Sequence, residues 1–125
     1  MISAVAVKLE VVALRDGSTV SIRQTGPDDE PLLLAFFESL SEESRASRFF
    51  SAAADLSAAA HAASVLRPDQ GVGLAACASS DGRIVGHASY RSGRHGAAEV
   101  DFAVAEQFQG RGIATLLLGR LADIA

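Results

Sequence analysis

The chain has 125 residues and a net charge of −4, with 49% hydrophobic and 21% charged residues. A chain of this length fits one domain with one core, and its composition excludes an intrinsically disordered or collagen-like protein. Proteins that bind nucleic acid through their electrostatic field carry an excess of basic residues, so the acidic net charge argues against nucleic acid as a partner.

Cysteine content and hydropathy argue against disulfide-bonded, zinc-binding, membrane-spanning and secreted proteins. Cys77 is the single cysteine, so an internal disulfide or a cysteine-rich zinc site cannot form, and His61, His87 and His95 lack the spacing of metal ligands. No apolar run approaches the roughly 20 residues that a membrane helix needs. The N-terminal stretch lacks the basic and apolar regions of a secretory signal. We therefore expect a cytoplasmic protein without metal or membrane partner.

The first elements predicted along the chain are two strands. Residues 8–15 have the apolar content of a strand, and residues 19–23 alternate polar and apolar side chains. Asp16-Gly17 lies between them and is a strong hairpin signal, because such turns need a residue that tolerates positive φ. The N-terminal part therefore predicts a strand hairpin.

Helical segments are predicted next. A first helix opens within residues 26–30, because proline is tolerated in a first turn and acids there complement the helix dipole, and its apolar stripe ends at Leu40. Ser41 can cap a second short helix that runs through Arg48. The alanine-rich stretch 55–66 predicts a third helical piece.

The second half of the sequence changes to strand periodicity. Strands are predicted at 71–79, 83–91 and 97–104, and residues from Gly110 onward form an amphipathic helix. This order predicts an α+β (mixed α/β) fold, with one sheet covered by helices in a single domain over residues 1–125. The sequence ends inside the last helix without a glycine or proline stop signal, so we expect this domain to be part of a longer chain.

A glycine-rich turn between the strand 97–104 and the last helix is the most informative segment. Its sequence is Gln109-Gly110-Arg111-Gly112-Ile113-Ala114. A helix N-terminus presents unpaired N–H groups at the positive end of its dipole, and glycines let the backbone approach a phosphate closely. The spacing matches neither the Walker loop nor the dinucleotide fingerprint. The segment therefore predicts an anion site of another kind.

Three stretches of the sequence resemble one enzyme family. The pattern Gln109-x-x-Gly112-x-Ala114 resembles the Gln/Arg-x-x-Gly-x-Gly/Ala signature of the GNAT acetyltransferase superfamily. Residues 14–20 (Leu-Arg-Asp-Gly-Ser-Thr-Val) and 40–50 (Leu-Ser-x-Glu-Ser-x-x-x-Arg-Phe-Phe) are similar to bacterial Pat-type protein lysine acetyltransferase domains. This resemblance implies a mostly antiparallel central sheet flanked by helices, with the C-terminal part of the domain absent after the last helix.

The resemblance also implies acetyl-CoA as the cosubstrate. In the family, backbone amides of the signature hold the pyrophosphate, and the preceding strand contacts the pantetheine arm. The thioester carbonyl would be polarised by a backbone amide near Ala103 or Val104. The cofactor-binding residues implied in this sequence are Phe102, Ala103, Val104, Gln109, Gly110, Arg111, Gly112, Ile113 and Ala114.

The strand 97–104 also carries two candidate catalytic acids. Glu99 and Asp101 share one face with Ala103, whereas the face opposite is apolar at Ala98, Val100, Phe102 and Val104. Two carboxylates on an interior strand are costly to bury unless they are paired or protonated, and a carboxylate with a raised pKa suits a general base. The resembling enzymes place a glutamate at Glu99, so Glu99 is the first candidate base and Asp101 the second.

The function that the resemblance implies is acetyl transfer from acetyl-CoA to an amine, with a protein lysine as the expected acceptor and an acyl-CoA synthetase as one candidate protein substrate. Two alternatives remain: a non-catalytic CoA-sensing module that regulates a fused enzyme, and an acetyltransferase for a small-molecule amine. Without the family's next strand, the strand 97–104 would end the sheet with unpaired backbone groups. We therefore expect these 125 residues to form a dimer.

Overall fold

The fold is organised around one antiparallel sheet whose strands follow each other in chain order. The computed structural model describes residues 9–49, 55–67, 69–92 and 98–124. The five strands are β1 (Glu10–Ala13), β2 (Thr19–Gln24), β3 (Gly71–Ala78), β4 (Ile84–Ser92) and β5 (Ala98–Val104). Each pairs in antiparallel register with the next, which confirms the predicted α+β class.

Helices flank this sheet. Within the described ranges they are α1 (Glu30–Ser39), α2 (Glu42–Phe49), α3 (Leu56–Ser64) and α4 (Ile113–Ile124). Two 3₁₀ turns, Pro27–Asp29 and Glu106–Phe108, precede α1 and α4 respectively. The first predicted helix thus opens as a 3₁₀ turn, because the Asp29 carboxylate accepts a hydrogen bond from the Gly26 N–H at 2.8 Å and tightens this turn.

Local capping signals set several element ends. The Ser41 hydroxyl accepts a hydrogen bond from the Ser44 N–H, which confirms the predicted cap of α2, and Asp55 caps α3 in the same way. The first strand is shorter than predicted. It ends at Ala13 because the N–H of Leu14 already bonds the Ser18 carbonyl within the hairpin turn. Its predicted start at residue 8 lies outside the described residues.

The two faces of β4 are covered by different helices. On one face α4 comes close to Gly86, where a Cβ atom would lie 2.9 Å from Ile113 and 3.3 Å from Leu117. On the other face the His87 ring lies 6.0 Å from the ring of Phe37 in α1. Residues that are directly paired across two strands share a face of the sheet. Val104 of β5 therefore lies on the α4 face with Gly86, and Ala103 lies on the α1 face with His87.

The last strand, β5, ends the sheet within the described part of the chain. It pairs with β4 along its length, and its apolar side chains Val100 and Phe102 are 51% and 49% exposed. β5 is therefore an edge strand of the described sheet. Its buried part is the end that carries Ala103 and Val104.

Candidate active site

A cavity of about 360 Å³ lies where β5 ends and α4 begins. Its walls come from the last three residues of β5, from the turn before α4, and from Ser44 and Ser47 of α2. Eight of the nine residues predicted to bind the cosubstrate line it: Phe102, Ala103, Val104, Gln109, Gly110, Gly112, Ile113 and Ala114. The structure thus brings the strand end and the glycine-rich turn to one site.

The turn depends on two glycines. Gly110 and Gly112 have φ angles of 77° and 88°, in the left-handed region that side chains disfavour. A Cβ atom at either position would meet no atom within 4 Å, so backbone conformation rather than crowding calls for glycine. The same geometry leaves the turn open on the cavity side.

The start of α4 supplies unpaired donors. The first helical hydrogen bond runs from the Leu116 N–H to the Gly112 carbonyl at 3.0 Å. The N–H groups of Ile113, Ala114 and Thr115 therefore have no partner inside the helix, and these residues line the cavity. Together with the helix dipole, these donors suit an anion such as a pyrophosphate.

Two side chains hold the turn in place. The Gln109 amide Nε2 donates to the Val104 carbonyl at 3.0 Å and so connects the turn to the strand end. The Glu106 carboxylate accepts hydrogen bonds from the Ser41 and Ser44 hydroxyls, both at 2.7 Å. These bonds, that of Ser41 foremost, lower the pKa of Glu106. Sequence reasoning missed Glu106, although its serine partners lie within the 40–50 stretch that carried the resemblance.

Arg111 is the one predicted cosubstrate residue that does not line the cavity. Its NH1 atom forms an ion pair with the Asp16 carboxylate at 2.7 Å. Its guanidinium also lies 5.0 Å from the ring centroid of Phe108. The Arg111 side chain therefore connects the turn to the β1–β2 hairpin, and only its backbone belongs to the anion-binding turn.

Successive residues of β5 direct their backbone N–H and C=O groups alternately towards β4 and away from it. The Ala105 N–H donates to the Val85 carbonyl at 2.8 Å, so the N–H of Ala103, two residues earlier, also points towards β4. The backbone groups of Val104 point the other way, and its carbonyl indeed accepts from Gln109. Of the two candidate amides, Val104 is therefore the one whose N–H is directed away from β4.

The two candidate acids occupy different environments. Asp101 is partly buried, and its carboxylate lies 3.6 Å from the guanidinium of Arg48 in α2. Glu99 is exposed and is paired with Arg91 in the β4–β5 register. The Glu99 end of β5 is open to solvent, because β5 is an edge strand of the described sheet. Asp101 is the one held in an ion pair.

Comparison with known proteins identifies the family. The Acetyltransferase (GNAT) family model matches residues 29–125. The chain belongs to the GNAT acetyltransferase family. No curated protein matches the sequence.

Solved structures agree with this assignment. The GNAT domain of Pat from S. lividans is 32% identical, with a TM-score of 0.81 over 93% of this chain and 70% of that one. An acetyltransferase from Trypanosoma brucei is 25% identical, with a TM-score of 0.55, over 84% of this chain and 73% of the other. A variant of the cAMP-binding acyltransferase from Mycobacterium smegmatis is 25% identical, with a TM-score of 0.56. This chain is covered to 90% in that match but spans only 34% of the M. smegmatis protein.

Other chemistries find little support in this GNAT domain. Burial raises the pKa of the Cys77 thiol, the opposite of what an acyl-carrying nucleophile needs. Across the four described ranges, no group of three or more His, Cys, Asp or Glu side chains is placed to hold a metal ion. Nor does any helix in those ranges combine the length and apolar character needed to cross a bilayer.

Proposed function

We propose that this domain transfers an acetyl group from acetyl-CoA to a protein lysine side chain. The observation that carries the proposal is the cavity itself. It joins the unpaired N–H groups at the start of α4, which suit a pyrophosphate, to the outward-facing amide of Val104. The similarity to the S. lividans Pat domain over 93% of this chain supports the same function.

Two sets of backbone amides bind different parts of acetyl-CoA. The amides of Gly110 and Gly112 and those of the first turn of α4 donate to the pyrophosphate. The amide of Val104 donates to the thioester oxygen and stabilises the negative charge that develops there during transfer. Gln109 keeps these two donor sets at a fixed separation, because its side chain bonds the carbonyl of Val104.

Transfer needs a base, because an ammonium ion is not a nucleophile. Glu99 accepts a proton from the lysine ammonium, either directly or through water, which its exposed position allows. The amine nitrogen then bonds to the acetyl carbon while the carbon–sulfur bond breaks. The nitrogen releases its second proton to solvent, and the CoA thiolate takes a proton from solvent and leaves as a thiol. Asp101 is the second candidate for the base, and its pairing with Arg48 favours a supporting role.

The proposed partner is a protein of the cytoplasm with an accessible lysine, and an acyl-CoA synthetase is one candidate. The test incubates the purified protein with acetyl-CoA and a lysine-containing peptide, and follows release of free CoA thiol and the peptide mass. Peptide acetylation at the lysine is the expected result. Tight acetyl-CoA binding without transfer to any peptide or small amine would instead indicate a CoA-sensing module, and transfer to small amines alone would exclude the lysine proposal.

A further inference from the structure

A second cavity, of about 380 Å³, lies beyond the end of α3 and against the end of β4. Ala62, Val65 and Leu66 form its apolar wall, and Gln70, Arg91 and Ser92 form its polar wall. Arg91 is paired with Glu99 in the β4–β5 register, so both side chains lie on the same face of the sheet. Glu99, the candidate base, therefore lies on the same sheet face as Arg91 but does not line this cavity, and the cavity shares no residue with the proposed acetyl-CoA site.

Arg91 forms no ion pair with a described residue. Within the part of the chain that the structure describes, the buried Nε atom of Arg91 forms no hydrogen bond, and neither does that of Arg48. No ion pair joins Arg91 to Glu99, although the two residues are directly opposed. Arg48 has Asp101 at 3.6 Å, whereas no carboxylate of the described residues lies within ion-pair distance of Arg91.

Other charged and polar side chains lie near Arg91. Burial lowers the pKa of Arg48, Asp101 raises it, and Arg91 lowers it by a smaller amount. His87 and Ser89 lie on the same face, are fully buried, and have side-chain atoms without hydrogen-bond partners among the described residues. Burial, Arg48 and Arg91 lower the pKa of His87 to about 3, so His87 is neutral at physiological pH. An anion entering from this cavity would meet the guanidinium of Arg91, with Glu99 opposed to it in the register and with Arg48 already paired with Asp101.

We propose that this cavity docks the acceptor segment of the protein substrate, with Arg91 binding a carboxylate side chain close to the acceptor lysine. This inference rests on the proposed function, because it presumes a lysine that presents its amine to Glu99. A guanidinium binds a carboxylate through two parallel hydrogen bonds, and the apolar wall of Val65 and Leu66 covers the methylene groups beside it. The occupant is thus an acidic peptide segment.

The distances suit an acid one or two positions from the lysine. Side chains that are directly opposed in an antiparallel pair have Cβ atoms about 5 Å apart, and an extended peptide rises about 3.3 Å per residue. A carboxylate bound at Arg91 therefore leaves the neighbouring lysine within reach of Glu99. The structure thus predicts a substrate preference that the acetyl-CoA site alone would not create.

The test uses two fluorescent peptides that differ only in a Glu or a Gln two residues from a single lysine. Fluorescence anisotropy measures their binding to the acetyl-CoA-loaded protein, and thiol release measures their acetylation. We expect the acidic peptide to bind about tenfold more tightly, the difference that a charged hydrogen-bonded contact gives. Arg91→Gln should remove this preference, Arg91→Lys should retain part of it, and the exposed control Arg15→Gln should retain all of it.

The outcomes separate the two proposals. Equal affinity of the wild-type protein for both peptides would overturn the docking site even if acetylation proceeds. Preferential binding of the acidic peptide without acetylation would uphold the docking site and reject the proposed function. Binding of N-acetylglutamate as tight as that of the acidic peptide would overturn the proposal in favour of a small carboxylate ligand. Light scattering that shows a dimer dependent on Arg91 would overturn it in favour of self-association.

Discussion

The side-chain amide of Gln109 donates a hydrogen bond to the backbone carbonyl of Val104 over 3.0 Å. This bond joins the anion-binding turn to the strand whose amide faces the thioester in the proposed reaction. Because Val104 directs its carbonyl and its N–H to the same side, Gln109 also fixes the direction of that amide. A single side chain thereby aligns the two donor groups that, in the proposed reaction, act on different parts of acetyl-CoA.

Replacing Gly112 with Val should weaken acetyl-CoA binding by at least about tenfold. Gly112 has a φ angle of 88°, and a non-glycine residue in that region costs on the order of 1–3 kcal/mol. The turn would relax and move its amides away from the pyrophosphate. Isothermal titration calorimetry measures the change. Gly119→Val in the body of α4 is the matched control, since Gly119 lacks a positive φ, and equal affinity of the Gly112 variant and the wild type would reject the phosphate site.

Replacing Glu99 with Gln should lower kcat by about 100-fold or more, the usual contribution of a general base. The KM for acetyl-CoA should change little, because Glu99 does not line the cosubstrate cavity. Asp101→Asn should reduce kcat less, since Asp101 is paired with Arg48. Steady-state kinetics over a range of pH measures both, with Glu38→Gln on α1 as the control. Wild-type turnover in the Glu99 variant at every pH would place the base elsewhere.

Replacing Glu106 with Gln should loosen the contact between α2 and the turn before α4. The pKa of Glu106 is lowered in the folded protein, mainly by the Ser41 hydroxyl, from an ordinary value of 4.5. A lowered folded pKa means that the ionised form contributes stability above that value and loses it as the pH falls below it. Thermal melting should therefore separate wild type from variant at pH 7 and bring them together in acid. A separation that persists unchanged at pH 3 would contradict this origin.

Replacing His87 with Leu should make the protein more resistant to acid. The pKa of His87 falls from 6.5 to about 3 on folding, chiefly because the ring is buried. Between these values the unfolded chain binds a proton that the folded chain does not, so stability declines as the pH drops below 6.5. By pH 4.5, two units below 6.5, this loss amounts to about 3 kcal/mol. Urea unfolding at pH 7 and 4.5 should show a smaller decline in the variant, and an equal decline would refute the assignment.

The exposed side chains of β5 should promote self-association of the 125-residue chain. Val100 and Phe102 form an apolar patch on a strand edge that has no further partner in the described sheet. Val100→Lys should shift the protein towards the monomer in light scattering. Val11→Lys on β1 is the control, because Val11 is also exposed but lies at the other edge. A wild-type protein that stays monomeric at high concentration would exclude this dimer.

Features set by neighbouring residues were predictable from the sequence. The turn at Asp16-Gly17, the cap at Ser41, and the need for glycine at 110 and 112 each follow from local conformational preference, and the structure confirms them. Contacts between distant segments were not predictable. Glu106 meets Ser44 across 62 positions, and no periodic pattern encodes such a pair. The ion pair of Asp101 with Arg48 was not predictable for a similar reason, because strand periodicity does not reveal which helix faces a strand.

In β5, odd-numbered and even-numbered residues direct their side chains to opposite faces and their backbone N–H groups to opposite edges. Glu99 and Ala103 are odd-numbered and direct their side chains to the α1 face, whereas the even-numbered Val104 directs its N–H away from β4. One residue inserted between Glu99 and Val104 would reverse one of these directions relative to the other. The proposed base and the proposed donor amide would then no longer serve the same reacting group. An insertion of two residues keeps both directions as they are. This strand should therefore tolerate insertions or deletions only of an even number of residues.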